Sequence, residues 1–344
     1  MARKKHILVI RLSAMGDVAI TVPVIRALIS QHKNVKVTVV SRAFFKPFFN
    51  GIPRLDFFAA EPKGRHKGLL GIFKLYSELK ELRIYAVADL HNVLRSKLLT
   101  KLFKMKGKPI ATLDKARDKR AALVRSEDKV FEPLIPVVQR YAEVFEKLGV
   151  PVDLNTIEFP EKQELTQDVL SVTGEHNQKW IGVAPFAKHR AKVYPKDLMQ
   201  EVITSLALNK NNKLFLFGAG KAEISRLNKF AQKHGNVVVI AGKMALKQEL
   251  QLISNLDVMI SMDSGNAHIA AMYGVNVVTL WGATHPYAGF APFNQPAGNA
   301  LTVDRKKYPK IPTSIYGNKK VDGYEDAMRT IKPLDVVNTV NKYL

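Results

Sequence analysis

Residues 7–17 read ILVIRLSAMGD, and they lead from a short apolar run through a polar loop towards an apolar helix around residues 21–29. A continuous β-branched run followed by a loop and a helix is typical of a buried strand in a parallel sheet. Similar runs recur with helix-like stretches between them, at residues 35–40, 84–88, 110–113, 180–184, 213–217, 237–240, 258–261 and 277–280. This alternation predicts an α/β protein with two Rossmann-like domains.

The boundary between the two domains is predicted near residues 154–173, where Pro151, Pro160 and the polar stretch 161–164 interrupt the alternation. We assign residues 1–165 to an N-terminal domain and residues 166–344 to a C-terminal domain, and the last helix could pack back on the N-terminal domain. Ligands of open α/β sheets bind beyond the carboxyl ends of the strands. We therefore expect the site in a cleft between the domains, lined by the loops that follow strands.

The composition is that of a basic globular protein. Lys and Arg number 53 against 30 Asp and Glu, which gives a net charge of +23 and predicts a polyanionic partner such as nucleic acid, an acidic membrane face or a phosphorylated substrate. The absence of cysteine excludes disulfides, Cys-ligated metals and a thiol nucleophile. The apolar run at residues 7–10 ends at Arg11, too short for a signal peptide or a membrane span. We expect a cytoplasmic protein, or one bound to a membrane from that side.

The loop after the first apolar run contains Ser13, Gly16 and Asp17. Gly16 permits a tight turn, and the two polar side chains would project into the expected cleft. Asp17 is either a general base or a residue that caps the following helix, and its spacing leaves both interpretations open.

A second polar loop, residues 262–268 (MDSGNAH), follows the run at 258–261. Small polar residues and a glycine at a helix start present backbone N–H groups together with the positive end of the helix dipole, which suits a diphosphate. The alternative is that Asp263 or Ser264 is an ordinary N-cap and that His268 is a packed helix residue.

Two further loops carry candidate binding residues. Residues 185–195 contain four basic or imidazole side chains that could neutralise phosphate oxygens, unless they form a solvated basic loop. Residues 218–223 (GAGKAE) end in Glu223, which either accepts hydrogen bonds from a ribose or a base, or sits in the first turn of a helix.

Three of these segments together resemble glycosyltransferase family 9, the lipopolysaccharide heptosyltransferase family, which has the GT-B fold. They are residues 11–17 (RLSAMGD), 192–195 (KVYP) and 263–268 (DSGNAH), in this order and spacing, and the resemblance spans about residues 6–286. It implies two Rossmann-like domains whose parallel sheets face a central cleft.

The resemblance also implies a role for each matching residue. Asp17 would be the catalytic base, with Arg11, Ser13 and Gly16 on the acceptor side. Lys192 would contact the phosphates of the donor, and Glu223 its nucleoside. The loop with Asp263 and His268 would bind the donor, with Asp263 facing the sugar and with Ser264 and Gly265 near the diphosphate.

The implied activity is inverting, metal-independent transfer of a sugar, heptose from ADP-heptose, to an acceptor of the lipopolysaccharide core or lipid A type. No cofactor is expected, since the sequence lacks an Asp-x-Asp pair and its histidines show no ligand-like spacing. The alternatives are a hexosyltransferase of the same family, another GT-B enzyme such as a nucleotide-sugar epimerase, and a nucleic-acid-binding protein suggested by charge alone. An NAD-dependent oxidoreductase would need an intact G-x-G-x-x-G, which is missing.

The positive charge is concentrated in residues 61–130, which hold 18 Lys and Arg against 8 Asp and Glu. Within residues 92–108 a predicted helix presents four lysines on one face and four apolar residues on another: Lys97, Lys101, Lys104 and Lys108, and Leu94, Leu98, Leu102 and Met105. The lysines form either a solvated face or a surface for anionic lipid and acceptor. We expect an anionic glycolipid acceptor, peripheral association with the cytoplasmic face of the inner membrane, and no nucleic-acid partner.

Two further segments of the N-terminal half are singled out. Residues 44–49 (FFKPFF) are a candidate for membrane contact, or a helix with core aromatics. The basic stretch 63–71 has no counterpart in the family's motifs.

Overall fold

The structure is a computed structural model that describes residues 4–319 and 321–344. Its contacts divide the chain into two compact units. Unit 1 consists of the chain up to Ala116 together with Ile135–Phe159, and unit 2 consists of Arg117–Leu134 and Pro160–Leu344. The chain thus passes for the last time from unit 1 to unit 2 at Phe159–Pro160.

Short apolar runs form the strands. Within the described residues the strands are β1 Lys5–Ile10, β2 Val35–Arg42, β3 Leu55–Ala60, β4 Ala86–Asp89, β5 Ile110–Thr112, β6 Lys179–Ala184, β7 Asn212–Leu216, β8 Val237–Val239, β9 Val258–Met262, β10 Asn276–Trp281 and β11 Ala300–Thr302. The α-helices of the same residues are α1 Met15–Gln31, α2 Gly68–Lys80, α3 Leu94–Met105, α4 Arg117–Leu123, α5 Val137–Glu146, α6 Gln167–Thr173, α7 Lys196–Leu208, α8 Gly220–Ala231, α9 Leu246–Ser254, α10 Gly265–Ala271 and α11 Pro333–Asn341.

Each unit contains one parallel sheet. The strand order is β3-β2-β1-β4-β5 in unit 1 and β11-β10-β9-β6-β7-β8 in unit 2. All pairings are parallel, and β1 runs in register with β2 from Lys5 opposite Val35 to Ile10 opposite Val40. The strands are buried on both faces by helices, as their β-branched composition predicts. Because all strands run the same way, the loops that follow them lie at one edge of each sheet.

Helices α2 and α3 cover one face of the unit 1 sheet, over a core that includes Leu75, Leu99 and Phe103. The Phe103 ring packs edge-on against Tyr76 of α2, with the ring centroids 5.0 Å apart.

The apolar face predicted for α3 is only partly buried, because Leu98 and Leu102 are half-buried whereas Leu94 and Met105 point to solvent. Both side chains are exposed, and Leu99 and Phe103 are buried instead. Leu99 and Phe103 face inward because α3 packs against α2 as well as against β4 and β5.

Most of the aromatic run at residues 44–49 belongs to the core, as one of the two interpretations of the sequence expects. It forms a 3₁₀ helix, Ala43–Phe49, in which Phe45, Phe48 and Phe49 are buried and Phe44 is exposed. Among residues 4–319 and 321–344, no helix combines the length and the apolar character that crossing a bilayer requires. Residues 1–3, which begin the basic N-terminal run, lie outside the described residues.

The final helix, α11, completes unit 2. Its residues Val336 and Val340 are fully buried, and it packs against α7 and β10. The sequence left open whether this helix packs back on the N-terminal domain. In the structure these contacts place the helix in the core of unit 2.

The segment Arg117–Leu134 packs on unit 2. Lys129 Nζ donates to the carbonyl oxygen of Pro312 at 2.9 Å, and the guanidinium of Arg305 lies 3.3 Å from the ring centroid of Phe131. Phe131 in turn packs against His285 and Tyr287.

Candidate active site

The loops after three adjacent strands of unit 2 bring together a lysine, an aspartate and a threonine. Strand β9 lies between β10 and β6, and Asp263, Thr284 and Lys192 follow these three strands respectively. Lys192 Nζ is 2.9 Å from Asp263 Oδ2, and Thr284 Oγ1 donates a hydrogen bond of 2.8 Å to the same oxygen. We call these three residues the Lys192–Asp263–Thr284 cluster.

Lys192 is held closely by its surroundings. It ends a 3₁₀ helix, Arg190–Lys192, whose middle residue accepts a hydrogen bond of 3.0 Å from the backbone N–H of Ala283. Gly317 has a φ of +76°, and a Cβ added there would lie 2.4 Å from the Lys192 side chain. The absence of a side chain at Gly317 therefore leaves room for the stem of Lys192.

The ion pair in this cluster is largely withdrawn from solvent, with the side chains of Lys192 and Asp263 12% and 10% exposed. A buried ammonium beside a carboxylate offers two complementary functions: the ammonium attracts phosphate oxygens, and the carboxylate accepts hydrogen bonds from hydroxyl groups. Thr284 is a further part of the site that the sequence did not single out, although its loop, residues 281–286, follows a predicted strand.

The remaining predicted donor-side residues lie at the same edge of the unit 2 sheet. Ser264 is the N-cap residue of α10 and its hydroxyl lies 3.0 Å from that of Ser261, while Gly265 begins the helix. His268 is buried within α10. The Glu223 carboxylate accepts a hydrogen bond of 2.8 Å from the backbone N–H of Ala219, so it occupies the first turn of α8.

In unit 1 the side chains of Arg11 and Asp17 form an ion pair. Arg11 Nη2 is 2.6 Å from Asp17 Oδ2, and the same oxygen accepts a hydrogen bond of 3.2 Å from the backbone N–H of Ala14. Asp17 therefore contacts the N-cap residue of α1 and a buried cation at once. Ser13 lies half-buried in the loop before α1, and Gly16 lies in its first turn.

Arg11 is buried and held from several sides. Its Nη1 donates to the carbonyl oxygen of Leu90 at 2.6 Å, and its guanidinium lies 5.9 Å from the ring centroid of Tyr141. Burial works against its charge, but Tyr141, Asp17 and Asp89 outweigh that effect and raise the pKa of Arg11 above its usual value. The guanidinium is thus a fixed positive charge beside Asp17.

The loop after β4 also belongs to this arrangement, although the sequence motifs did not indicate it. Asp89 is buried, and its Oδ1 accepts hydrogen bonds of 2.9 Å from the backbone N–H groups of His91 and Asn92. Burial, and then the charges of Arg11 and Lys115, lower the pKa of His91 to about 4. The available signal was the position of these polar residues directly after a predicted strand.

The predicted acceptor-side lysines line a groove of their own in unit 1. Lys97 and Lys101 lie on the exposed face of α3, and with Lys104 and Lys108 they border a space of about 440 Å³. Across residues 4–319 and 321–344, no group of three or more His, Asp or Glu side chains is arranged to hold a metal ion.

Two Rossmann-like units, each with a parallel sheet and polar side chains on the loops after its strands, define the protein as an α/β protein of the doubly wound kind. Comparison with known proteins then gives the family. The family model described as glycosyltransferase family 9 (heptosyltransferase) matches residues 72–319. The chain belongs to this family and is a glycosyltransferase.

Individual relatives match over the whole chain. The lipopolysaccharide core heptosyltransferase OpsX of Haemophilus influenzae is 25% identical over 347 residues, which cover 98% of this chain and 96% of OpsX. The crystal structure of a family 9 glycosyltransferase from Veillonella parvula superposes with a TM-score of 0.75 at 19% identity, covering 100% and 98% of the two chains. Heptosyltransferase WaaC of E. coli, solved with ADP, gives a TM-score of 0.67 at 18% identity, covering 98% and 100%. The fold is that of the GT-B enzymes.

Proposed function

We propose that this glycosyltransferase moves heptose from ADP-heptose to an acceptor of the lipopolysaccharide core or lipid A type, with inversion at the anomeric carbon. The observation that carries the proposal is the Lys192–Asp263–Thr284 cluster, which places an ammonium and a carboxylate side by side at the carboxyl edge of the unit 2 sheet. Family membership and the full-length match to OpsX, a lipopolysaccharide core heptosyltransferase, support the choice of sugar and acceptor.

The donor would bind through the polar loops of unit 2. In this proposal the Lys192 ammonium binds the diphosphate, helped by Ser264 and Gly265, and the loop that contains His268 borders the donor. Asp263 accepts hydrogen bonds from hydroxyl groups of the sugar, and Glu223 contacts the nucleoside. ADP as the nucleotide is supported by its presence in the WaaC structure.

Asp17 would act as the general base. Within the part of the chain that the structure describes, Arg11 and the Ala14 N–H both contact Oδ2, so Oδ1 is the oxygen that would take the proton from the acceptor hydroxyl. The acceptor oxygen forms a bond to the anomeric carbon as the bond to the diphosphate breaks on the opposite face. Negative charge then grows on the departing diphosphate, where a fixed ammonium stabilises the transition state.

The proposed reaction uses no metal ion and no cofactor. Its electrostatic requirement is a positive charge beside the leaving diphosphate, and Lys192 supplies that charge.

The proposed acceptor is an anionic glycolipid that reaches unit 1 from the cytoplasmic face of the inner membrane. Its phosphates would meet Arg11 and the lysines of α3, with Ser13 and Gly16 beside the acceptor hydroxyl. The excess of basic over acidic residues at 61–116, the part of the basic stretch that belongs to unit 1, supports this assignment. A nucleic acid would leave the polar loops of both sheets without a role, so we do not propose one as a partner.

The decisive experiment measures heptose transfer from ADP-heptose to a deep-rough glycolipid by mass spectrometry, for the wild-type protein and for Asp17→Asn. Asparagine is nearly isosteric and still accepts the Ala14 hydrogen bond, so the helix cap is retained while the base is lost. We expect turnover to fall by about a hundredfold or more, the usual contribution of a general base. Asp114→Asn is the matched control, because Asp114 also accepts a backbone N–H, at 2.8 Å, but lies outside the site.

Equal turnover by Asp17→Asn would refute the base. A donor screen in the same assay separates the other candidates. Transfer from UDP-hexoses alone would identify a hexosyltransferase, and interconversion of the sugar nucleotide without acceptor would identify an epimerase. Tight, salt-dependent binding of unrelated oligonucleotides without sugar-nucleotide binding would instead favour a nucleic-acid-binding protein.

A further inference from the structure

The stretch of unit 1 that precedes α2 is a firmly anchored loop, although it is rich in charge. Residues 61–67 form a compact turn, in which the N–H groups of Gly64 and His66 both donate to the carbonyl oxygen of Glu61. His66 is fully buried, and its Nδ1 accepts a hydrogen bond of 3.0 Å from the Glu61 N–H. Arg95 of α3 donates to the carbonyl oxygens of His66 and Pro62.

The first turn of α2 packs tightly on this loop. A Cβ added at Gly71 would lie 2.2 Å from the carbonyl carbon of His66, so no larger residue fits there without a shift. The loop and the helix start therefore present a fixed surface.

This fixed surface exposes three large apolar side chains. Leu69, Leu70 and Phe73 are 64%, 85% and 55% exposed. Their spacing along α2 puts them on one side of the helix, away from the buried residues Ile72 and Leu75. We call Leu69, Leu70 and Phe73 the apolar patch. Large apolar side chains grouped on an anchored helix start favour an apolar partner.

The charges around the apolar patch are predominantly positive. Lys63, Lys67 and Lys74 are exposed and form no ion pair within the described residues. The acids nearby, Glu61 and Glu78, both pair with Arg65. Apolar side chains flanked by free lysines match a bilayer with anionic headgroups, because the apolar groups enter the acyl boundary while the ammonium groups meet lipid phosphates.

The position of the apolar patch in unit 1 also suits a lipid. Helix α2 follows β3, which is parallel to β2 and β1, so α2 begins at the edge of the sheet where the Arg11–Asp17 loop also begins. A bilayer held at this edge would present the head of a glycolipid to the same loops.

We propose that the apolar patch and its three lysines form a membrane-docking surface that binds an anionic bilayer. The inference rests on the proposed function in one respect, that the acceptor is a glycolipid. Docking would keep the acyl chains in the membrane while the sugar head reaches unit 1. It assigns a role to residues 63–71, which precede the part of the chain that the family model matches.

The test measures binding of the full-length protein to vesicles of phosphatidylcholine mixed with phosphatidylglycerol, by co-sedimentation. The double variant Leu70→Ser with Phe73→Ser is expected to bind at least about tenfold more weakly, since each side chain loses much of its burial. Wild-type protein is expected to bind pure phosphatidylcholine about tenfold or more weakly, because each lysine near an anionic surface contributes about a fivefold factor. Leu208→Ser and Leu334→Ser, both in unit 2, are controls of similar exposure and should bind normally.

Activity on a deacylated, water-soluble acceptor separates this proposal from the proposed function. Normal turnover on that acceptor with weakened vesicle binding supports docking through the apolar patch. Wild-type binding by the double variant overturns it, as does equal weakening by the two controls. Suppose that neither the wild-type protein nor the double variant binds vesicles, and that the wild type forms a concentration-dependent dimer which the double variant does not form. That result would overturn membrane docking and would identify a second copy of the chain as the partner of the apolar patch. Loss of vesicle binding in the double variant supports docking even if no sugar transfer is found.

Discussion

Lys192→Met removes the ammonium of the buried ion pair while it keeps a side chain of similar length. The variant leaves the Asp263 carboxylate, 10% exposed, with the Thr284 hydroxyl as its remaining partner in the cluster. A carboxylate that is withdrawn from water and loses its counter-ion is destabilising. We therefore expect unit 2 to lose stability as well as affinity for the donor.

The magnitude follows from the burial of the pair. Removal of one partner of a buried ion pair costs about 3–5 kcal/mol, and we expect about 3 kcal/mol here because the pair keeps some exposure. Adding Asp263→Asn to Lys192→Met removes the unpaired charge, so the double variant should recover most of the loss. Thr284→Val deletes one hydrogen bond to the carboxylate and should cost about 1–3 kcal/mol.

The assay is urea unfolding followed by tryptophan fluorescence. The chain has two tryptophans, Trp180 on β6 and Trp281 on β10, and both are buried in unit 2. Their fluorescence therefore reports the unfolding of the unit that contains the pair. A free energy of unfolding for Lys192→Met within about 1 kcal/mol of wild type, together with simple additivity in the double variant, would refute the reasoning. Binding of ADP should remain lost in the double variant even though its stability recovers.

Two further outcomes are expected in unit 2. Burial, and then Arg305, lower the pKa of His285 to about 4, against 6.5 for the free side chain. The unfolded chain binds more protons between these values, so unit 2 should lose about 3 kcal/mol as the pH falls from 6.5 to 4, and His285→Gln should flatten that dependence in urea unfolding. Gly317→Ala adds a Cβ 2.4 Å from the Lys192 side chain at a φ of +76°, so it should raise the KM for the donor and cost about 1–2 kcal/mol of stability.

Each of these outcomes has its own check. An unchanged pH dependence in His285→Gln would assign the acid sensitivity to other groups. Gly323→Ala is the matched control for Gly317→Ala, because Gly323 has a φ of +77° and open space around it. Both glycine variants should lose similar stability, but a rise in KM for Gly323→Ala would remove the argument from contact with Lys192.

The sheets were largely predictable because buried parallel strands are continuous apolar runs. The nine predicted runs correspond to strands of the structure, whereas β3 and β11 were missed. Both are edge strands. β3, Leu55–Ala60, contains an exposed Asp56 and only one buried residue, and β11, Ala300–Thr302, has three residues of intermediate burial. These two edge strands bury little surface, so the hydrophobic pattern that identifies buried strands is weak in them. The edge strands β5 and β8 were predicted because each forms a short apolar run.

The candidate site was predictable as a set of loops but not as a set of contacts. That Lys192 meets Asp263 depends on β6 lying next to β9, and strand order cannot be read from local sequence. Likewise Asp89 and His91 join Arg11 because β4 is the neighbour of β1. Whether Asp17 acts as base or cap was left open by its spacing, and the structure shows that its carboxylate makes a cap contact and an ion pair through one oxygen.

The attachment of Arg117–Leu134 to unit 2 has a practical consequence for engineering. The polypeptide crosses from one unit to the other after Ala116, after Leu134 and again after Phe159, so no single cut yields two self-sufficient halves. A chimaera that exchanges donor specificity by swapping everything after residue 165 would separate Phe131 from Arg305, whose guanidinium lies 3.3 Å from its ring centroid. Such an exchange should therefore also include residues 117–134 from the same parent protein.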